Sequence, residues 1–270
     1  MAKDQFQSLA GKVAVITGSG RQAGLGAAIA QRLASDGAKV VISDQAITEE
    51  TNSLVEIMTA AGLEVSAFAC DVTNLGQVQA LGQYARDQYG SLDIWVNNAG
   101  IGFIMKPLLE VTVEDWSRVI DVNLTGAFFG LQVAARIMIE QGKGGRIINI
   151  ASQAAKSGFP HAQAYSASKH GLVGLARSAA IELGAHGITV NNVCPNHVTT
   201  GLGAWQNEYF SKVTGHDTVD SYMEAMVNRI PMGRPGLAQD TANAVAFLSS
   251  DGAQYITAES MNVSGGEEPH

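Results

Sequence analysis

Short, uninterrupted apolar runs recur along this chain, separated by stretches with helical spacing. Val13-Ala14-Val15-Ile16 and Lys39-Val40-Val41-Ile42-Ser43 are the first two. Runs of this kind, without an alternating polar face, describe strands covered on both sides. Strands are expected near residues 12–17, 39–43, 64–69, 92–96, 145–151, 188–194 and 257–263. Between them, apolar positions three and four residues apart predict helices near 24–36, 48–61, 74–89, 112–140, 163–185 and 237–249. Thr112-Val113-Glu114-Asp115 supplies the hydroxyl cap and early acids of a helix start. Strands alternating with helices through right-handed crossovers predict one α/β domain over residues 1–270. Its sheet is expected to be doubly wound, parallel and seven-stranded, in the order 3-2-1-4-5-6-7. Residues 1–10 form a short polar lead. Over 196–236 the rhythm breaks, and Trp205, Tyr209, Phe210, Tyr222, Met223 and Met226 fall between Pro195 and Pro235. An insertion of this length reads as a lid over a site, or as a helical pair packed on the surface.

Composition narrows the class. An apolar fraction of 46% with 30 glycines fits a well-packed α/β protein with many tight turns. The net charge of −8 argues against nucleic acid or an anionic membrane as the main partner. Met1-Ala2-Lys3-Asp4-Gln5-Phe6 lacks the charged-then-apolar order of a secretory leader, and no run of eighteen apolar residues occurs. Cys70 and Cys194 lie far apart at the ends of two predicted strands, as buried free thiols of a reducing compartment would. A cytoplasmic location is expected. Cys194-Pro195-Asn196-His197 has ligand-like spacing but no second pair, so no metal is expected.

Two constellations carry chemistry. Thr17-Gly18-Ser19-Gly20-Arg21-Gln22-Ala23-Gly24-Leu25-Gly26 joins the first strand to the first helix. A helix start offers free N–H groups and the positive end of a dipole, and glycines let the backbone approach a pyrophosphate. The second strand ends at Asp44, placed to accept from the ribose hydroxyls of a dinucleotide. Tyr165 and Lys169 are four residues apart and therefore share a helix face, thirteen residues after Ser152. A cation beside a phenol stabilises the phenolate, and a neighbouring hydroxyl can hold a substrate oxygen while the phenol moves its proton.

Taken together, these motifs resemble the short-chain dehydrogenase/reductase family, in its shorter classical branch, from about Leu9 to about Gly266. The family's TGxxxGxG corresponds to Thr17, Gly18, Gly24 and Gly26, with two more residues in the turn here. Its NNAG corresponds to Asn97-Asn98-Ala99-Gly100, and its Asn-Ser-Tyr-Lys set to Asn123, Ser152, Tyr165 and Lys169. Its Pro-Gly after the sixth strand stands here as Pro195-Asn196, where Asn is the residue expected to accept a left-handed backbone. The resemblance implies a single-domain Rossmann fold with a small helical substrate lid at 196–236. It implies cofactor contacts from Gly18, Gly24, Leu25, Gly26, Asp44, Asp71, Val72, Asn98, Ala99, Gly100, Tyr165, Lys169, Pro195, Val198 and Thr200. It also implies that Asn123 positions a water linking Lys169 to solvent. Gln153, His161, His197 and Trp205 are candidates for the substrate pocket; each histidine reads equally as an exposed loop residue. Asp44 would repel a 2′-phosphate, so NAD(H) is expected over NADP(H), with Arg21 as the opposing cation.

The stretch from Arg229 to Glu259 resembles bacterial polyol and acetoin/butanediol dehydrogenases. The expected activity is interconversion of a secondary alcohol (a polyol, diol or cyclic or aryl alcohol) and its ketone. The alternatives are an NADPH-dependent 3-oxoacyl thioester reductase and a non-catalytic NAD(H)-binding sensor. The resemblance further implies a homotetramer built on helices 112–140 and 163–185, with Ala127, Ala134, Ala135, Ala176, Ala179 and Ala180 suited to close packing.

Overall fold

All five residues of the first strand, β1 (Val13–Thr17), are buried, and they divide by parity between two faces. Ala14 and Ile16 enter one apolar cluster, Val13 and Val15 another. The computed structural model describes residues 8–268, so the expected polar lead lies outside the described residues as far as residue 7. The other strands are β2 (Lys39–Asp44), β3 (Val65–Ala69), β4 (Ile94–Asn97), β5 (Gly145–Ile150), β6 (Ile188–Pro195) and β7 (Ser260–Val263). They form one parallel seven-stranded sheet in the order β3-β2-β1-β4-β5-β6-β7, as the pattern predicts. The order reverses between β1 and β4, where an open parallel sheet forms its binding crevice at the strands' carboxyl ends.

The helices are α1 (Leu25–Ser35), α2 (Glu49–Ala60), α3 (Leu75–Tyr89), α4 (Val113–Ile120), α5 (Gly126–Gln141), α6 (Gln163–Leu183), α7 (Gly201–Val213), α8 (Val219–Val227) and α9 (Ala238–Ser249). Ile29 and Leu33 of α1, Met58 of α2 and Val245 of α9 cover one face of the sheet. Leu81 of α3, Met138 of α5 and Ala176 of α6 cover the other. Their ends follow local chemistry. Thr48 and Thr112 close reciprocal capping boxes on α2 and α4. The left-handed Gly90 (φ 88°) ends α3. Cys70 and Cys194 are free and buried.

Three expectations are refined. The single helix expected over 112–140 is interrupted by a π-helical turn, Asp121–Thr125, between α4 and α5. Val113–Gln141 is long and apolar enough, by length and composition, to cross a membrane, yet 56% of its most apolar stretch is buried inside the protein. The last strand begins at Ser260 rather than 257, because Thr257 answers the Val190 N–H with its side-chain oxygen and Ala258 takes a left-handed φ of 65°. Of the alanines expected to suit close packing between subunits, Ala134, Ala135, Ala176 and Ala180 are buried in the apolar cluster on the second face of the sheet. An α-helix offers its small residues to its flattest neighbour, and here that is the sheet.

A buried polar ladder crosses the sheet near its carboxyl edge. Asn97, Asn149, Asn192 and Ser260 stand side by side on β4, β5, β6 and β7. Each amide nitrogen donates to the next side chain, at 2.9, 3.0 and 3.0 Å. The first of them also accepts from the Trp95 indole at 2.7 Å.

Candidate active site

The glycine turn leaves β1 at Thr17 and enters α1, whose N-cap is Gly24. No side chain caps this helix and no acid sits in its first turn, which leaves its N–H groups for an anion. Gly18 has φ +64°, and a Cβ there would lie 2.6 Å from the Ala99 Cα. A Cβ on Gly26 would lie 2.6 Å from the Gly18 oxygen. The Asn98 amide donates to the oxygens of Thr17 and Gly18, both at 2.8 Å, and the Thr17 hydroxyl accepts from the N–H groups of Asn98 and Ala99. The two sequence motifs thus form one knot at the crevice between β1 and β4. Its open helix start and glycine approach fit a dinucleotide pyrophosphate.

The two extra residues of the turn lean on α2. The Gly20 N–H donates to Asp44 Oδ2 at 3.0 Å, the Thr51 hydroxyl donates to the Gly20 oxygen at 3.1 Å, and the Gln22 N–H donates to Glu50 Oε1 at 2.8 Å. Asp44 Oδ1 accepts from the Gln45 N–H. Each Asp44 oxygen keeps a second acceptor site for a ribose hydroxyl. Sequence reasoning missed Glu50 and Thr51, because nothing in the first turn of α2 marks which way a neighbouring loop will lean. Asp71 caps its own turn through Thr73, which holds its carboxyl below the usual range. Val72 packs against Gly126 at the start of α5.

Ser152 follows β5, while Tyr165 and Lys169 lie one turn apart on α6. Lys169 is 5% exposed. Its Nζ donates to the Ile150 oxygen at 2.8 Å and sits 5.6 Å from the centre of the Tyr165 ring. Burial pushes Lys169 down to about 8. Burial pushes the Tyr165 phenol up, against a smaller lowering by its hydrogen bond with Ser152. Here the structure differs from the expectation that Lys169 lowers Tyr165. The ammonium lies over the ring and is turned to a carbonyl, so desolvation outweighs it.

Asn123, in the π turn, is 1% exposed. Its Oδ1 accepts from the Ile101 N–H at 2.8 Å, and its Nδ2 donates to the Ile101 oxygen and the Ser168 hydroxyl at 2.9 and 3.2 Å. Ser168 in turn donates to the Tyr165 backbone carbonyl. The Asn123 side chain therefore ties the loop after β4 to the helix that carries Tyr165. Gly100 fits between Asn123 and Lys169: a Cβ there would lie 3.3 Å from Asn123 Oδ1 and 3.6 Å from Lys169 Nζ.

The insertion after β6 reaches this centre. Gln206 of α7 donates to the Gly102 oxygen at 3.2 Å, and a Cβ on Gly102 would lie 3.1 Å from the Tyr165 ring. Trp205 stacks on Tyr209 (5.5 Å, 13°) and meets Phe103 edge-on at 6.5 Å. His161, with φ 65°, shares a 2.9 Å hydrogen bond with the Tyr209 hydroxyl, so it joins the segment after Ser152 to α7. Thr200 is the N-cap of α7. Val198 bridges to Gly236, and Pro195 pairs with Val263.

His197 is largely buried, and its Nε2 lies 3.2 Å from Glu267 Oε2. Burial pushes its pKa down. Gln153 donates to Glu268 Oε2 at 3.3 Å, and its buried Oε1 has no hydrogen-bond partner among the described residues. The carboxyl-terminal acids and Gln206 escaped sequence reasoning, since neither the pair after Gly265-Gly266 nor a glutamine beside Trp205 carries a periodic signal.

A family model described as Enoyl-(Acyl carrier protein) reductase matches residues 18–268. The chain is 38% identical to L-2,3-butanediol dehydrogenase of Corynebacterium glutamicum over 256 residues, covering 94% of this chain and 98% of that one. It resembles the structure of NAD+-bound xylitol dehydrogenase with a TM-score of 0.89 and 31% identity, covering 97% of this chain and 100% of that one. It also resembles a variant of actinorhodin polyketide ketoreductase with NADPH, with a TM-score of 0.89 and 35% identity, covering 96% and 98%.

Proposed function

Because the chain belongs to the short-chain dehydrogenase/reductase family, and is an oxidoreductase with an NAD(P)-binding Rossmann fold, we propose that it interconverts a secondary alcohol and its ketone through Ser152, Tyr165 and Lys169. The observation that carries this reading is the burial of Lys169 with its ammonium 5.6 Å from the centre of the Tyr165 ring. When bound, a nicotinamide supplies the hydride acceptor for oxidation or the donor for reduction. Gly18, Gly24, Leu25, Gly26, Asp44, Asn98, Ala99, Gly100, Val198 and Thr200 would hold that cofactor, with Asp71 and Val72 at its adenine. Ser152 holds the substrate oxygen. Tyr165 exchanges the proton on that oxygen: in reduction it donates as the neutral phenol that burial favours, and in oxidation it accepts as the phenolate. Lys169 carries its charge at neutral pH, with its ammonium 5.6 Å from the centre of the Tyr165 ring. Asn123 fixes the distance between the loop after β4 and α6.

NAD(H) is the proposed cofactor, because the Asp44 carboxylate stands where a 2′-phosphate would meet it. The substrate proposed is a polyol, diol or cyclic or aryl alcohol, enclosed by Trp205 and Phe103, in a homotetramer of the cytoplasm. Reduction with NADPH is the second reading, favoured by the exposed Arg21 in the long turn. The test follows absorbance at 340 nm with either oxidised cofactor and a panel of polyols, vicinal diols and cyclic alcohols. Tyr165→Phe should lose roughly 10²–10⁴-fold in turnover while NADH binding stays within about twofold. Turnover that survives this change would remove Tyr165 from the mechanism, and activity with NADP+ alone would favour the second reading.

A further inference from the structure

The segment that follows β6 turns sharply without glycine. Pro195-Asn196 stands where a Pro-Gly was expected, and the left-handed residue is His197 (φ 44°), not Asn196. Left-handed backbone at a non-glycine residue persists only where its surroundings hold it. The surroundings here come from the carboxyl terminus. Asn196 Nδ2 donates to Glu267 Oε2 at 2.5 Å, and His197 Nε2 lies 3.2 Å from the same oxygen. The other oxygen, Oε1, accepts from Arg229 Nε at 3.0 Å, just beyond α8. The Glu267 and His197 side chains are only 12% and 14% exposed. The backbone agrees: Asn196 N–H donates to the Val263 oxygen at 3.2 Å, and Met232 N–H to the Gly265 oxygen at 3.1 Å. Gly265 and Gly266 are both left-handed, and a side chain on either would run into Ile230 or Pro231.

We propose that Glu267 is a positioning residue for cofactor binding: its carboxylate locks the Asn196–His197 turn and, through it, sets the Val198–Thr200 segment at the carboxyl end of β6. The proposal rests on the reading above that this segment contacts the cofactor. Position is transmitted over a short path. Val198 is bridged to Gly236, Thr199 N–H donates to the Gly236 oxygen at 3.1 Å, and Thr200 begins α7. A turn freed at Asn196–His197 would leave that segment anchored on one side only. Arg229 adds a link to the lid, so the same carboxylate registers the cofactor-side loop against the substrate-side helices.

The experiment is NADH fluorescence titration of the full chain, with steady-state kinetics and thermal unfolding, for Glu267→Ala, Asn196→Ala and the double variant. Glu267→Gln, which keeps an acceptor for Asn196, serves as the conservative variant and covers a failure of Glu267→Ala to fold. Loss of positioning hydrogen bonds predicts NADH binding weakened about tenfold in Glu267→Ala. The KM for NAD+ should rise by about the same factor while kcat changes less than about threefold, and Glu267→Gln should recover to within about threefold of wild type. The double variant should bind no more weakly than the worse single variant, as expected for residues acting through one contact. A lowered unfolding temperature with unchanged NADH affinity would make Glu267 merely structural and overturn the proposal. So would single effects that multiply in the double variant. A wild-type protein that binds neither NADH nor NADPH would instead overturn the cofactor reading itself.

Discussion

Lys169 sits at 5% exposure with its ammonium on the Ile150 carbonyl, a placement that desolvation opposes. The gap between about 8 and the ordinary 10.5 corresponds to about 3 kcal/mol. The folded chain releases this proton at lower pH than the unfolded chain. The cost of burying the charge is therefore complete below about 8 and is relieved as pH rises toward 10.5. The unfolding midpoint of wild type, compared with Lys169→Met in the absence of cofactor, should thus improve between pH 8 and 10.5. A difference between the two proteins that stays flat across that range would mean the lysine is not desolvated as the structure has it. The four-residue spacing of Tyr165 and Lys169 was readable because helix geometry alone puts them on one face. The upward shift of Tyr165 was not, because burial depends on the packing of Gly102, from a loop far earlier in the chain, against the ring. His197 teaches the same lesson: its loop position was legible, but the carboxylate that takes its nitrogen comes from seventy residues later in the chain.

At the scale of elements, strands and crossovers were legible because a parallel sheet covered on both faces demands continuous apolar runs, and this chain supplies them from Val13 onward. The two-part nature of the helix over 113–141 was not, since a single π turn widens the backbone hydrogen bonding inside an otherwise continuous helical stretch. That turn carries Asn123, in keeping with the habit of π turns to mark functional positions. The asparagine ladder was also hidden, because only the strand register aligns its members. Asn149 is 0% exposed and serves both neighbours, accepting from Asn97 and donating to Asn192. Asn149→Ala strands a donor on one side and an acceptor on the other, each costing about 1–3 kcal/mol when buried. Urea denaturation should therefore show a loss of about 2–4 kcal/mol with little change in the slope. A loss below about 0.5 kcal/mol would mean that the ladder is satisfied by water or contributes nothing.

For the whole molecule, the expected tetramer can be argued from what the fold leaves uncovered. Small residues on α5 and α6 are consumed by the sheet, so a partner would have to meet the outward side of the same helices. That side is apolar: Val113 is 83% exposed, Trp116 43%, Phe128 41%, Ile139 39% and Ile181 84%. Large apolar groups are exposed elsewhere too, Leu109 and Tyr255 among them, but this set falls on α4, α5 and α6, the helices on which the oligomer is expected. A substitution at Ile181 separates assembly from folding, since a side chain this exposed contributes little within one protomer. Light scattering coupled to size exclusion should give four times the chain mass for wild type and a smaller species for Ile181→Glu, with helical circular dichroism unchanged. The wild-type unfolding temperature should rise with protein concentration, and the variant should unfold at lower temperature with a weaker concentration dependence, because a subunit interface adds stability by mass action. Wild-type protein that elutes as a monomer would remove the oligomer from this reading while leaving the Ser152–Tyr165–Lys169 centre intact, since all three residues belong to one chain. An assembly that tolerates Ile181→Glu would instead move the interface to another face of the protomer.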